Sequence, residues 1–329
     1  MSIVKTVNLS KLYVRDVIDY EYGYLKIRFK NRKVAALKRL NLEIEEGEIF
    51  GLLGPNGAGK TTTLKILMGL IFQTSGEAFI MEKPLGDKSV KAQIGFLPEN
   101  PYFYDYLKGW EFLDYYGQLY GIHRIERRKK IPELLELVGL SNAANLPLKG
   151  YSKGMLQRIG LAQALINDPR IVFLDEPQSG LDPFGRKEVR DIILSLKEKG
   201  KTVFFSSHIL SDAEMICDRV GILYAGELIN VGHISELLSA KIEEYEVVAE
   251  GITDEARKEF EKKAKRLLTS PDGVMMVVEK QEDAEEIVRS LLQGAGNLVS
   301  FTPRKETLEQ FFIRQTQQAA RKGEITANE

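Results

Sequence analysis

The sequence predicts an α/β protein whose central sheet is parallel and buried on both faces. Two observations carry this: short, wholly apolar runs alternate with longer stretches of helical period over the first 240 residues, and a glycine-rich loop sits where one such run meets a helix. The runs are Ile49 to Leu53, Ile171 to Leu174, Val203 to Phe205 and Val220 to Tyr224. None shows the polar alternation of a half-exposed strand. After about residue 244 the pattern restarts, with strand over Tyr245 to Ala249, helix over Asp254 to Leu268 and strand over Gly273 to Glu279. A helix from Glu282 to Leu292, a strand from Asn297 to Phe301 and a helix from Lys305 to Gln315 complete a βαβαβα order. That suits a small α+β domain of ferredoxin-like size. In the last helix Leu308, Phe311 and Phe312 recur at i, i+3 and i+4 and form one apolar face, whereas Gln317 to Glu329 lacks such a face and is expected to fray.

Composition narrows the class. The chain has 329 residues, which suggests two domains, and its 43% hydrophobic and 28% charged content is that of a globular protein. The longest runs of apolar residues plus glycine are seven residues, Ile66 to Phe72 and Val220 to Gly226, far short of the roughly 18 needed for a membrane span. The first residues carry no basic-then-apolar leader pattern, so no signal peptide is expected. A single cysteine, Cys217, cannot form an internal disulfide and agrees with a reducing compartment. The net charge of −1 offers no argument for nucleic-acid affinity. It divides into 32 basic and 29 acidic residues over 1–240, and 14 basic and 18 acidic residues over 241–329.

The most informative segment is Gly54, Pro55, Asn56, Gly57, Ala58, Gly59, Lys60, Thr61 and Thr62, directly after the apolar strand and directly before a helical run. It matches the G-x-x-x-x-G-K-[ST] phosphate loop in the context that motif requires. Glycines let successive N–H groups turn inward, and the following helix aims its positive end at the anion. Lys60 is expected to reach the β- and γ-phosphates and Thr61 to bind Mg²⁺ through its hydroxyl. The competing reading, an ordinary glycine-rich turn, accounts for neither the lysine nor the context.

A second anchor is Ile171 to Pro177, four apolar residues ending in Asp175 and Glu176. A buried strand delivering an acid at its C-terminal edge places Asp175 on the metal side. Glu176 follows where the chain turns, so it can face the γ-phosphate and orient or deprotonate water. By themselves, two carboxylates at a strand end are as easily a solvated pair. Of three histidines only His208 ends an apolar strand, on the same sheet edge as Gly54 and Asp175, which suits a γ-phosphate contact. Taken alone, such a histidine is more often a capping residue; His123 and His233 read as surface residues.

Together these residues resemble the nucleotide-binding subunit of ATP-binding cassette (ABC) transporters, over about residues 2–235. Tyr151 to Arg158 (YSKGMLQR) looks like the family's signature segment, Ser179 to Asp182 like its D-loop and His208 like its switch histidine. The resemblance implies a P-loop NTPase cassette, with a RecA-like core and a helical subdomain over about 100–165. It also implies a dimer that sandwiches ATP, in which Ser152, Gly154 and Met155 contact the γ-phosphate held by the partner chain. A serine hydroxyl, a glycine N–H and a helix start do form an anion site, although Ser152 also reads as an ordinary N-cap.

Three positions depart from the common pattern. Lys153 stands where the signature usually has glycine, Met155 where it has glutamine, and Glu99 where the Q-loop has glutamine. These choices look like the branch serving ABC-2 type exporters, whose ATPases often carry a small C-terminal domain ending in a pattern like Thr307 to Phe312. Glu99 would then be a Mg²⁺ or water contact. For the adenine-stacking aromatic either Phe29 or Tyr13 could serve, and Phe29 is favoured by its spacing from Ala35 to Leu42. Asp182 to Gly185 also fits a GTPase D-x-x-G, but no N-K-x-D exists and no strand leads into Asp182, so GTP specificity is not expected.

Between Tyr102 and Tyr120 lie nine of the chain's 29 aromatic residues. Phe112, Tyr115 and Tyr116 have helical spacing and read as core, while Pro101 to Tyr106 reads as a loop whose aromatics anchor a partner. By the resemblance this loop receives a short helix of a membrane subunit. The basic run Arg124, Arg127, Arg128, Lys129, Lys130 is most simply a solvated helix face, with lipid headgroup contact as the second reading.

The expected protein is therefore an ATPase using ATP and Mg²⁺, with Lys60, Glu176 and His208 in catalysis and Thr61, Asp175 and Glu99 at the metal. It would pair with a second ATPase subunit and an integral membrane permease, without nucleic acid, and lie in the cytoplasm against the membrane's inner face. The alternative is a soluble ABC ATPase acting on ribosomes or DNA. Such proteins usually hold two cassettes or a long coiled coil, and this chain has neither.

Overall fold

A computed structural model describes residues 2–15, 19–21, 24–26, 32–238, 242–270 and 273–327. The chain divides into two compact units, Met1–His233 with Gln315–Glu329, and Ile234–Arg314.

The core of the first unit is a six-stranded sheet. Its order is Glu227–His233, Arg219–Tyr224, Ile49–Leu53, Thr202–Ser207, Ile171–Asp175 and Ile94–Leu97. All neighbours are parallel except the first pair, which turns back as an antiparallel edge. Every residue of Ile49–Leu53, Ile171–Asp175 and Thr202–Ser207 is buried, as continuous apolar runs covered on both faces require. Phe50, Phe173 and Phe204 meet across this sheet with Phe204 at the centre, 5.6 Å from each of the other rings.

A second, antiparallel sheet runs Arg32–Glu45, Ser2–Arg15, Ser75–Ile80 and Lys83–Pro84. Buried Val4, Thr6 and Leu9 are separated by exposed or half-buried Lys5, Val7 and Asn8 and mark its core face, to which Ile3 adds at the strand start. Between Ile94–Leu97 and Ile171–Asp175 the chain makes three α-helices, Gly109–Leu119, Arg124–Leu137 and Lys153–Ala164, which pack on one another through buried Phe112, Leu113, Leu134, Leu135 and Ile159. Among the described residues no helix is long and apolar enough to cross a membrane.

The second unit differs from its expected order. The helix begins at Asp254 but ends at Lys263, and Arg266–Ser270 is a strand paired antiparallel to Gly273–Val278. Phe260, Ala264, Leu267 and Leu268 follow a helical spacing, which hides the break, and strand pairing overrides it. The resulting β-α-β-β-α-β order forms the sheet Arg266–Ser270, Gly273–Val278, Ile242–Glu250, Asn297–Lys305, with all neighbours antiparallel. This is a ferredoxin-like split βαβ arrangement with four strands in place of three. Helices Asp254–Lys263 and Gln281–Ser290 cover one face, burying Phe260, Ala284 and Ile287 against Val247, Met276 and Val278. The last strand runs to Lys305, so the final helix starts at Leu308, and it continues to Ala327 through the segment expected to fray. Glutamine, alanine, arginine and lysine are strong helix formers and need no apolar face to extend a helix already started.

Candidate functional site

Three parallel strands deliver their C-terminal ends to one edge. Ile49–Leu53 leads into the glycine-rich loop, Ile171–Asp175 ends on its own carboxylate, and Thr202–Ser207 is followed by His208. Gly54 N–H donates to Ser207 O at 3.3 Å, which fastens the start of the loop to the neighbouring strand end. Helix Lys60–Leu67 then begins directly behind the loop, with Gly59 as its N-cap in the left-handed region. A side chain there would be strained, and its Cβ would lie 2.4 Å from the Ala36 carbonyl, so only glycine fits.

The side chains at this edge form one connected network. Thr61 Oγ1 donates to Asp175 Oδ1 at 3.1 Å, and Ser206 Oγ donates to the same oxygen at 2.7 Å. Ser206 Oγ in turn accepts from Glu176 N–H at 3.0 Å. Lys60 Nζ donates to Gly54 O at 2.7 Å and pairs with Glu176 Oε1 at 3.1 Å, while Glu176 Oε2 lies 2.7 Å from His208 Nδ1. The Lys60 and Glu176 side chains are only 6% and 7% exposed, so each charge depends on the other for compensation. Glu176 itself sits at φ 49°, a conformation uncommon for a non-glycine residue, and this aims its carboxylate back between Lys60 and His208. Burial pushes the Asp175 carboxyl above the usual range against the hydrogen bonds from Ser206 and Thr61, and the Glu176 charge adds to the rise. A cation beside Asp175 would reverse that balance.

Asn56, Gly57, Lys60, Thr61, Glu176 and His208 line a cavity of about 520 Å³. Glu99 lines it too, with Ser179 and Ala36. Of the residues singled out in the sequence, Lys60, Thr61, Glu176, His208 and Glu99 line this cavity, whereas Asp175 is not among its lining residues and reaches it only through its hydrogen bond from Thr61. Ser152, Gly154 and Met155 are not among the residues lining it. They lie at the start of Lys153–Ala164, where Ser152 Oγ accepts from Met155 N–H at 3.3 Å as an N-cap. Phe29 lies outside the described residues. Tyr13 is on the Ser2–Arg15 strand, 38% exposed, with the Lys11 ammonium 5.1 Å from its ring centre.

Ser206 was missed. It joins Asp175 to the Glu176 backbone because Ser206 and Asp175 are register partners on neighbouring parallel strands. The available signal was a polar pair, Ser206 and Ser207, closing an otherwise apolar run.

Comparison with known proteins agrees with this geometry. The family profile described as ABC transporter matches residues 37–179. An uncharacterized ABC transporter ATP-binding protein of Synechocystis sp. is 48% identical over 95% of this chain and 84% of its own length. The bacitracin transport ATP-binding protein BcrA of Bacillus licheniformis is 40% identical over 69% of each chain. Among solved structures, a dimeric post-hydrolysis state of the ATP-binding cassette MJ0796 bound to ADP and Pi is 28% identical. It covers 70% of this chain and 98% of that one, with a TM-score of 0.59. The fold is that of ABC ATPase cassettes.

Proposed function

The chain belongs to the ABC transporter ATP-binding proteins, which bind and hydrolyse ATP, and from that premise we propose a division of labour among its residues and a direction of transport. Backbone N–H groups of the loop and of the first turn of the following helix, from Asn56 to Thr62, cradle the phosphates, with Lys60 on the β- and γ-phosphates. Glu176 accepts a proton from the water that attacks the γ-phosphorus, and His208, which touches its other carboxylate oxygen, orients it. Nucleotide entry competes with the Lys60–Glu176 pair, so the phosphates take over Lys60 and release Glu176 for water.

Thr61 and Asp175 fit Mg²⁺. Their two oxygens already converge to 3.1 Å, and hard oxygen donors are what this ion prefers. When bound it supplies charge neutralisation between the phosphates. Glu99, on the rim of the same cavity, is the outer candidate for a metal-bound or attacking water.

The subunit acts as half of a nucleotide sandwich, with Ser152, Gly154 and Met155 facing the γ-phosphate of a second ATPase subunit. That assignment is supported by their place outside the cavity of their own chain and by the dimeric structures similar to this one. An integral membrane permease is the second partner. A groove of about 480 Å³ lined by Phe96, Pro101, Tyr102, Phe103, Tyr116 and Tyr120, with Tyr102 83% exposed, suits a short apolar helix of that subunit. Export is the proposed direction, because relatives at 40% and 37% identity are named for bacitracin transport and linearmycin resistance. The protein would thus work in the cytoplasm, at the membrane through its permease, with no nucleic-acid partner.

The observation that carries the reading is the contact chain at the phosphate loop from the buried Lys60–Glu176 pair to the exposed His208. Glu176→Gln keeps the shape and removes the base, so phosphate release is expected to fall about 100-fold or more while ATP is still bound. Turnover at the normal rate would overturn the base assignment. Co-purification with a polytopic membrane protein supports the transport role, and tight ribosome or DNA binding without one would replace it.

A further inference from the structure

The helical part of the first unit holds a second built pocket that none of the chemistry above uses. It is a cavity of about 420 Å³ between Gly109–Leu119 and Arg124–Leu137, lined by Trp110, Asp114, Arg124, Arg127, Arg128, Ile131 and Pro132. Three guanidinium groups and one carboxylate share this space. One of the three is committed to the fold. Arg127 Nε donates to Asp114 Oδ1 at 2.7 Å and its Nη1 to Ile122 O at 2.6 Å. Its stem lies across Gly117, where a Cβ would come within 2.5 Å of Arg127 Cδ. Asp114 is occupied on its other oxygen by Gln118 at 2.6 Å.

Arg124 and Arg128 have no such role. Both are exposed, and among the described residues neither is within ion-pair distance of a carboxylate, although the Arg124 charge adds to that of Arg127 in holding the Asp114 carboxyl below its usual range. They stand at i and i+4 on one helix face, so their like charges repel. They also lie in the first five residues of Arg124–Leu137, where the positive end of the helix dipole disfavours cations and where Glu126 is the single acid of the first turn. Neither placement favours a cation, and an anion between the two guanidinium groups would offset both. The facing helix contributes Trp110, which is 41% exposed, and Pro132 and the buried Ile131 continue the pocket along the arginines' own helix.

We propose that this pocket binds a phosphate group, with Arg124 and Arg128 as its donors and the Trp110 wall taking an attached apolar or glycerol portion. Guanidinium groups match phosphate oxygens in planar, charge-assisted pairs, and paired arginines beside an aromatic ring are the surface an anionic phospholipid headgroup meets at a membrane interface. The phosphate can come from such a headgroup or from a soluble phosphate compound. Nothing in this inference depends on the residue roles at the nucleotide cavity, and Trp110 is not among the residues lining that cavity.

Trp110 is the only tryptophan in the chain, so its fluorescence reports on this pocket directly. The full-length protein is titrated with vesicles of phosphatidylcholine, with vesicles of phosphatidylcholine and phosphatidylglycerol, and separately with inorganic phosphate. A shift of Trp110 emission with the anionic vesicles alone identifies a headgroup site. A shift with inorganic phosphate at millimolar concentration identifies a soluble phosphate site. In either case the Arg124→Gln, Arg128→Gln double variant is expected to lower apparent affinity about tenfold or more, since each arginine near an anionic surface contributes on the order of a factor of five. Basal ATPase of that variant stays at the wild-type level and shows that it is folded. No emission change with any probe, or the same change in the double variant, overturns the proposal.

Discussion

The parallel sheet of the first unit and the antiparallel sheet of the second are built from similar residues but put to different ends. In the parallel sheet Leu53, Asp175 and Ser207 finish at one edge, and each chain segment then turns away into a loop or helix. Convergent strand ends bring backbone N–H groups, two carboxylates, a lysine and a histidine within contact of one another. In the antiparallel sheet successive strand ends alternate between the two edges, so no edge collects more than a few functional groups. Its polar residues pair at the surface, as Lys265 does with Glu244 and Glu279. Strand direction, more than composition, decides which sheet can concentrate chemistry.

The largest expected effect separates the two cores. Phe204 and Phe260 are both almost fully buried, and truncating either to alanine is expected to cost about 3–5 kcal/mol in the sheet it supports. Phe204→Ala should remove ATPase activity together with the first unfolding transition. Phe260→Ala should lower a transition of the second unit and leave ATP turnover standing, as read by calorimetry and phosphate release. Equal loss of activity in both would break the contrast.

Within the active edge, Ser206→Ala removes the hydroxyl shared by Asp175 and the Glu176 backbone, both buried. Leaving them short of a partner should cost about 1–3 kcal/mol and slow turnover, with ATP affinity changed less than kcat. Asp175→Asn tests the electrostatics of the same corner. Because the folded Asp175 carboxyl lies above its unfolded value, its contribution to stability is complete in acid and is lost as pH rises through the folded pKa. The asparagine variant should therefore melt higher than wild type at neutral pH without nucleotide, and the gain should shrink on acidification, while hydrolysis is lost. A lower melting point at neutral pH would mean that the hydrogen bonds from Thr61 and Ser206 outweigh the burial. At the quiet sheet, Lys265→Met should leave the melting temperature and activity unchanged, since exposed pairs contribute little.

The same contrast explains what could be read before the fold was known. Ile49 to Leu53, Ile171 to Leu174 and Val203 to Phe205 were legible because a strand buried on both faces has no polar interruption, and the phosphate loop because its residue types are each required by backbone geometry. Arg266–Ser270 was hidden because Phe260, Ala264, Leu267 and Leu268 keep a helical spacing, and only the partner strand Gly273–Val278 overrules it. Ser206 was hidden for a related reason. Its role depends on lying opposite Asp175, and register between strands 31 residues apart is not written in either strand alone. The helix continuing from Leu308 to Ala327 escaped a reading based on large apolar residues, since the half-buried positions of its later turns are Gln315, Thr316, Ala319 and Ala320.

The contacts at the phosphate loop are long in sequence: Thr61 to Asp175 spans 114 residues and Glu176 to His208 another 32. During synthesis the loop leaves the ribosome early, yet its hydroxyl and lysine have nothing to meet until the chain past residue 208 has emerged and the parallel strands have paired. Such non-local pairing is slow, and the exposed apolar strands are vulnerable in the interval. A nucleotide that needs all three strand ends binds only the finished sheet and draws the folding equilibrium toward it. The cell's ATP pool would then act on this chain first as a folding chaperone in chemical form, before it serves as fuel.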